Sequence, residues 1–202
     1  MAGDRNAIYL ASASPRRSEL LRQIDVTHTV RPVDIDESPR AGEQPARYAL
    51  RLAEEKARAL WERLPVAERR PVLAADTTVA LGDEILGKPT NHADAVRILG
   101  RLSGRAHEVH TAVAVVHAGG AAARVSTSTV EFRPLTRAEI DWYWNTGEPA
   151  DKAGAYGVQG HAAIFIRHLA GSYSGVMCLP LYETWELLAP ALGLIGRNTQ
   201  AP

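Results

Sequence analysis

The sequence predicts an α/β domain, a mixed central sheet flanked by helices. Three observations lead there. Two short apolar runs, residues 7–10 and 72–75, have the length and composition of buried strands. Val109, Thr111, Val113 and Val115 alternate toward Gly119-Gly120, with Val130 and Phe132 on a returning arm, as in a long hairpin. Ala46, Ala49, Leu50, Ala53, Ala57, Leu60 and Leu64 recur at helical spacing, which makes residues 44–64 a long amphipathic helix. Strands and helices mix along the chain, against an all-α bundle or a β-sandwich. With no internal repeat and no low-complexity linker, residues 1–202 read as one domain, its core over about 8–190 between short flexible termini.

The elements follow in order from local chemistry. After the strand at 7–10 and a small-residue loop at 11–13, Ser14 is placed to cap a helix whose first position suits Pro15. The helix over 44–64 starts close to Pro45. The strand at 72–75 leads toward Gly82-Asp83, a tight turn into an arm at 84–87. Thr136 with Glu139 forms a capping box and Leu135 with Ile140 a hydrophobic staple, so a helix begins there and ends before Gly147. A glycine-dense stretch at 147–160 follows, then a strand at 163–166 and a last helix at 182–189 that Pro190 stops.

Composition narrows the function classes. The 202 residues are 46% hydrophobic and 23% charged, as in ordinary globular domains, which excludes disordered and fibrous classes. Lys+Arg and Asp+Glu number 23 each, so no whole-molecule field draws the chain to nucleic acid or an anionic membrane. The single cysteine, Cys178, excludes an intramolecular disulfide and a multi-cysteine zinc site and fits a reducing, cytoplasmic setting. The start lacks the apolar run of a signal peptide, and no stretch approaches the ~20 apolar residues of a membrane span.

Five stretches carry candidate chemistry. LASASPRR, residues 10–17, puts Arg16 and Arg17 in the first turn of a helix, where the dipole disfavours cations. A phosphate on the free N–H groups of that turn, gripped by either arginine, resolves the conflict; neighbouring carboxylates are the alternative. In VLAADTTVALGDEILGKP, residues 72–89, Asp76 stands at the end of an apolar run. A carboxylate there must pair with a cation, ligate a metal or act as a base. A two-residue hairpin sets Thr77 opposite Lys88. Asp76 and Lys88 then face opposite sides unless the ladder ends at Gly87 and Pro89 and frees Lys88 to turn toward Asp76. Lys56 borders the apolar stripe of its helix, as a snorkelling lysine or a phosphate ligand. Glu37, in the acidic loop 34–37, suits a hard cation or plain solvent. In GEPADKAGAYGVQG, residues 147–160, glycines permit close approach of a ligand, and Gln159 carries the donor and acceptor that read a nucleobase edge.

Other features are set aside. His107 and His110 fall on opposite sides of a strand, Trp142 and Trp144 diverge on a helix and suit packing, and Cys178 reads as a small core residue. Neither G-x-x-x-x-G-K-[ST] nor G-x-S-x-G occurs.

Together with GSYSGVMCLPLYET at 171–184, these blocks resemble, in order and spacing, the signature of the Maf family of nucleotide pyrophosphatases over nearly the whole chain. The resemblance implies an elongated, two-lobed α/β fold with a cleft, similar to inosine triphosphate pyrophosphatases. It also implies a divalent metal, magnesium or manganese, and cleavage of a nucleoside triphosphate to monophosphate and pyrophosphate. KAGAYGVQG resembles the branch acting on dTTP and UTP; the 7-methyl-GTP branch and modified pyrimidine triphosphates are the alternative substrates. By similarity Asp76 matches the proton acceptor, Arg16, Thr77 and Gln159 match specificity positions, and Arg17, Lys56 and Lys88 match phosphate-binding positions. Ser14 joins the substrate-binding set, and Glu37 with Asp76 the metal-binding set. The expected partner is a nucleotide, with no nucleic acid and no membrane; a homodimer is compatible, and a regulatory role in arresting septum formation is the non-enzymatic rival. Where the family commonly reads SYSNVVGLPL, this chain has Gly175, Val176, Met177 and Cys178.

Overall fold

A single strand organises the protein. The computed structural model of the chain describes residues 7–194; the flexible tails expected at either end lie outside the described residues. Strand β3 (Val72–Leu81) lies within a seven-stranded sheet of order β2 (His28–Val30), β1 (Ile8–Leu10), β3, β5 (Ala106–His117), β6 (Gly120–Phe132) and β7 (Ile166–Ala170), with β4 (Glu84–Leu86) also paired to β3. β1 is parallel to β2 and β3, and the remaining pairs are antiparallel, so the sheet is mixed as expected.

The two edges of β3 differ. One pairs with β5 without interruption, from Val72 opposite Val116 to Ala80 opposite Glu108. The other meets β1 only at Val72 and Leu73 and β4 only from Val79 to Leu81. Between them residues 74–78 have no strand on that edge among the described residues. The sheet is broken there.

Side-chain alternation along β3 builds two cores on its two faces. Val72 and Ala74, with Tyr9, Ala11, Ala112 and Ala114, pack under α2 (Pro45–Arg63), which contributes Ala49, Ala53 and Ala57; these small residues let the helix lie close to the sheet. Leu73 and Ala75, with Ile8, Leu10 and Val113, pack against Leu20 and Leu21 of α1 (Pro15–Gln23) and Leu187 and Leu188 of α6 (Leu181–Ala191). A third core at the other end of β3 joins Val79, Leu86, Val109 and Phe132 to Ile98 and Leu102 of α3 (His92–Leu102) and Tyr143 of α4 (Arg137–Asn145). Apolar packing is thus concentrated at two ends, with the break between them.

Several expectations hold in detail. α2 starts at Pro45 with Gln44 at its N-cap, Gly82-Asp83 turns β3 into β4, and Thr136 and Glu139 form the capping box of α4. Others need correction. The strand expected at 72–75 continues to Leu81, because Thr77, Thr78 and Val79 are β-branched, so Asp76 lies inside the strand and not at its end. The strand expected at 163–166 is a 3₁₀ segment, His161–Phe165, and β7 begins only at Ile166. Ala162 and Phe165 are buried three residues apart while Ile164 is exposed, a helical and not an alternating pattern. α6 runs one residue past Pro190, to Ala191; Pro190 has no N–H for the Glu186 carbonyl, and the helix stops one residue later. Ser14 occupies the N-cap of α1, yet its side chain makes no capping hydrogen bond; its Oγ lies 3.8 Å from the Cys178 sulfur. Among the described residues β2, α3 and the short α5 (Tyr173–Met177), with 3₁₀ segments at Val66–Glu68, Glu148–Asp151 and Ala153–Ala155, go beyond the sequence expectation.

Candidate active site

A cavity of about 820 Å³ lies at the break in the sheet. Ser14, Arg16, Arg17, Glu37, Lys56, Asp76, Thr77, Lys88 and Gln159 all line it, although they come from five separate stretches of chain.

Its centre is a buried charge cluster. Asp76 faces α2, as do Val72 and Ala74, and there meets Lys56: Nζ donates to Asp76 Oδ1 at 2.8 Å and lies 2.7 Å from Glu37 Oε1. Lys56 and Asp76 are buried, whereas the Glu37 side chain is 54% exposed at the cavity mouth. The second Asp76 oxygen has only a long, 3.5 Å contact from the Thr78 hydroxyl. Lys88 does not turn to Asp76; it follows β4, exposed, because Lys56 already fills that place from the face that α2 covers. Tyr48, eight residues before Lys56 on α2, registers the local charge. Burial, and then the nearby Asp76 and Glu37 carboxylates, push its phenol up to about 12.

The wall formed by α1 is cationic. Arg17 donates to the Cys178 carbonyl from Nε at 3.1 Å and to Ser12 Oγ from Nη1 at 2.8 Å, which fixes its guanidinium at the helix start. Arg16 does reach a carboxylate, Asp151 Oδ2 at 3.4 Å, while Lys152 holds the other Asp151 oxygen at 2.7 Å. The Arg16 pair is long and solvent-exposed, worth at most about 1 kcal/mol, so Asp151 holds Arg16 only weakly. Burial pushes Asp151 upward, but the Lys152 hydrogen bond and the charges of Lys152 and Arg16 outweigh it and hold the carboxyl below its ordinary range.

Thr77 points to the opposite face from Asp76. Its Oγ1 lies 3.1 Å from Thr111 Oγ1, which donates to the Gly175 carbonyl of α5 at 2.8 Å. Gln159 is exposed between two 3₁₀ segments, Ala153–Ala155 and His161–Phe165. Its amide hydrogen-bonds to no described residue.

Some wall residues carried little sequence signal. Tyr48 was readable only as a residue about two turns before Lys56, and Ser12 and Glu148 had no signal, since their partners lie in distant segments. Cys178 is buried in an apolar cluster as expected, yet it also forms part of the cavity wall. His107 bonds the Tyr156 hydroxyl at 2.8 Å and His110 bonds Thr127 at 3.0 Å, so the two rings do not converge. Trp144 packs on the core of α3 and α4, but Trp142 does not follow it inside: it is 46% exposed, against the ring of His161.

Among the described residues, no three or more His, Cys, Asp or Glu side chains gather into a metal cluster. Asp76 and Glu37 nevertheless form a convergent pair of hard oxygen donors, drawn to one ammonium. That set is the donor chemistry a hard divalent cation takes.

A sequence model of the family described as Maf-like protein matches residues 7–191. The chain belongs to the Maf family. This Maf protein is 51% identical over 197 residues to a protein of Bordetella parapertussis named dTTP/UTP pyrophosphatase, covering 95% of either chain. It is 52% identical over 181 residues to a protein of the same name from Methylobacillus flagellatus, covering 90% of each. Among solved structures, a nucleoside-triphosphatase, dITP/XTP pyrophosphatase, from Mycobacterium abscessus aligns at 17% identity and a TM-score of 0.43, covering 96% of this chain and 98% of that one.

Proposed function

We propose that this Maf protein hydrolyses dTTP and UTP to the monophosphate and pyrophosphate, acting in the cytoplasm. One observation carries the site assignment: Arg16, Arg17, Lys56 and Lys88 line a single cavity with Asp76 and Glu37. Four cations suit a triphosphate, and two relatives that share half of the sequence are named for dTTP and UTP.

In this reading Arg16, Arg17 and Lys88 grip the phosphates. Arg17 is held ready by Ser12 and the Cys178 carbonyl, and Arg16 exchanges Asp151 for the substrate. Lys56 occupies Asp76 Oδ1, which leaves Oδ2 to take a proton from water. The water oxygen bonds to the α-phosphorus as the α–β bridging bond breaks, and its electron pair leaves with pyrophosphate. Asp76 and Glu37 would hold a magnesium or manganese ion, which would supply charge neutralisation at the triphosphate. Thr77 and Gln159 meet the pyrimidine, whose O4 and N3–H match the donor and acceptor of an amide.

The test is pyrophosphate release with magnesium across dTTP, UTP, dCTP, dGTP and ATP. The expected result is a preference for dTTP and UTP, and equal rates with purine triphosphates overturn it. Asp76→Asn is expected to lose at least about 100-fold in kcat, the lower end of the general-base range; retained turnover removes Asp76 from the proton-accepting role.

A further inference from the structure

We propose that Glu148 is a positioning residue for pyrimidine selectivity, holding Gln159 in place by anchoring the backbone on either side of it. The proposal rests on the pyrimidine reading of Gln159 given above.

Glu148 opens the 3₁₀ segment Glu148–Asp151, and its side chain is only 14% exposed. Its carboxylate is spent on the loop itself. Oε1 accepts from the Tyr143 hydroxyl at 2.7 Å, and that hydroxyl oxygen accepts from the Gly157 amide at 3.1 Å. Oε2 accepts from the His161 amide at 2.8 Å and lies 3.0 Å from its ring nitrogen Nδ1. Gly157 and His161 stand two residues before and two after Gln159, so one carboxylate ties down both ends of the turn that presents the amide. The Glu148 carbonyl also takes a hydrogen bond from Lys152 Nζ at 2.7 Å.

The sequence makes room for this. A Cβ at Gly160 would collide with the Glu148 carboxylate, and one at Gly157 would lie 2.7 Å from Lys152 Cε and 3.2 Å from Glu148 Oε1. Two glycines thus admit the anchor but leave a loop that is free to wander without it. Burial disfavours charge on Glu148, yet the donors from His161 and Tyr143 outweigh it and hold the carboxyl below its ordinary range. A backbone already in place spares the loop its ordering cost when Gln159 engages a base, and that advantage is selective because only a matching base edge collects it.

The test compares kcat and KM for dTTP and dGTP in wild type, Glu148→Gln, Gln159→Ala and the double variant, with thermal melting as a folding control. A glutamine amide keeps one acceptor oxygen and sets an NH2 group against the other donor, so it loses either the Tyr143 or the His161 anchor and frees one end of the loop. Expected for Glu148→Gln is a KM for dTTP raised about tenfold with kcat within about twofold, the pattern of lost uniform binding, and a dTTP-over-dGTP ratio of kcat/KM falling toward that of Gln159→Ala. Adding Glu148→Gln to Gln159→Ala should cost nothing further, since both remove the same contact. An unchanged ratio in Glu148→Gln, or losses that multiply in the double variant, overturns the proposal. If Glu148→Gln does not fold, Tyr143→Phe deletes one phenol oxygen between Gly157 and Glu148, and the same ratio decides. Wild type that fails to prefer dTTP overturns the pyrimidine reading and this proposal together; wild type that prefers it, with indifferent variants, overturns this proposal alone.

Discussion

Lys56 is a lysine almost without water, and its two carboxylates bear unequal shares of the cost. Asp76 is as buried as Lys56, whereas Glu37 is half solvated and less dependent on the contact. Removing one partner of a desolvated pair strands the other charge, at about 3–5 kcal/mol. Lys56→Met is therefore expected to lower the free energy of unfolding by about 3 kcal/mol. Asp76→Asn, which leaves Lys56 with Glu37, should cost clearly less; equal losses in urea titrations would contradict this account. The helical period of residues 44–64 placed Lys56 at the border of the apolar stripe, but not its partner. Pairing depends on which face of β3 the helix covers, and that is decided by the packing of Tyr9, Ala11, Ala112 and Ala114 from distant segments. Turning Lys88 toward Asp76 was the choice left by local spacing alone.

Elements defined by short-range chemistry were legible: the Thr136–Glu139 box, the turn at Gly82-Asp83 and the helix after Gln44 follow from a few adjacent residues. Elements defined by their surroundings were not. β7 and the 3₁₀ segment before it share similar apolar residues, and only the burial of Ala162 and Phe165 separates them. The loop at 147–160 shows how an irregular segment is held. Gly154 donates to the Gly87 carbonyl at 3.0 Å, just before Lys88, and lies against Val79 in β3. Its φ is +70°, and a Cβ there would sit 2.8 Å from Val79 Cγ1. Gly154→Ala is thus strained twice, by conformation and by contact, and is expected to cost about 2–3 kcal/mol. A drop in melting temperature measures it. A variant as stable as wild type would mean that the loop is not seated on the sheet.

For the whole molecule, the α/β class was readable, and so was the convergence of Arg16, Arg17, Lys56 and Lys88 on one cavity, since both depend on patterns the chain repeats or concentrates. The break in the sheet was not, because it arises where β1 stops and β4 begins on one edge of β3. The same packed interior sets an acid limit. Burial pushes the His107 ring down from 6.5 to about 4, and His110 is lowered by the same cause. The unfolded chain then binds more protons than the folded one between those values, so stability is full above about pH 6.5 and falls as pH drops toward 4. His107 alone contributes on the order of 3 kcal/mol to that loss. Unfolding titrations from pH 7 to pH 4 should show the slope, and His107→Gln should flatten it; an unchanged slope would assign it elsewhere. Glu43 and Glu139, each held near 2 first by an arginine hydrogen bond, add their share only as pH falls below their ordinary value of 4.5. The broken edge of β3 has a consequence for how such a protein can change. Asp76 and Thr77 are neighbours in the chain yet project to opposite sides of the sheet, where different helices and loops surround them. A nucleotide that touches both must reach through the gap. In the proposed mechanism hydrolysis and base choice then belong to separate faces, so a substitution on one face can change the substrate without rebuilding the other.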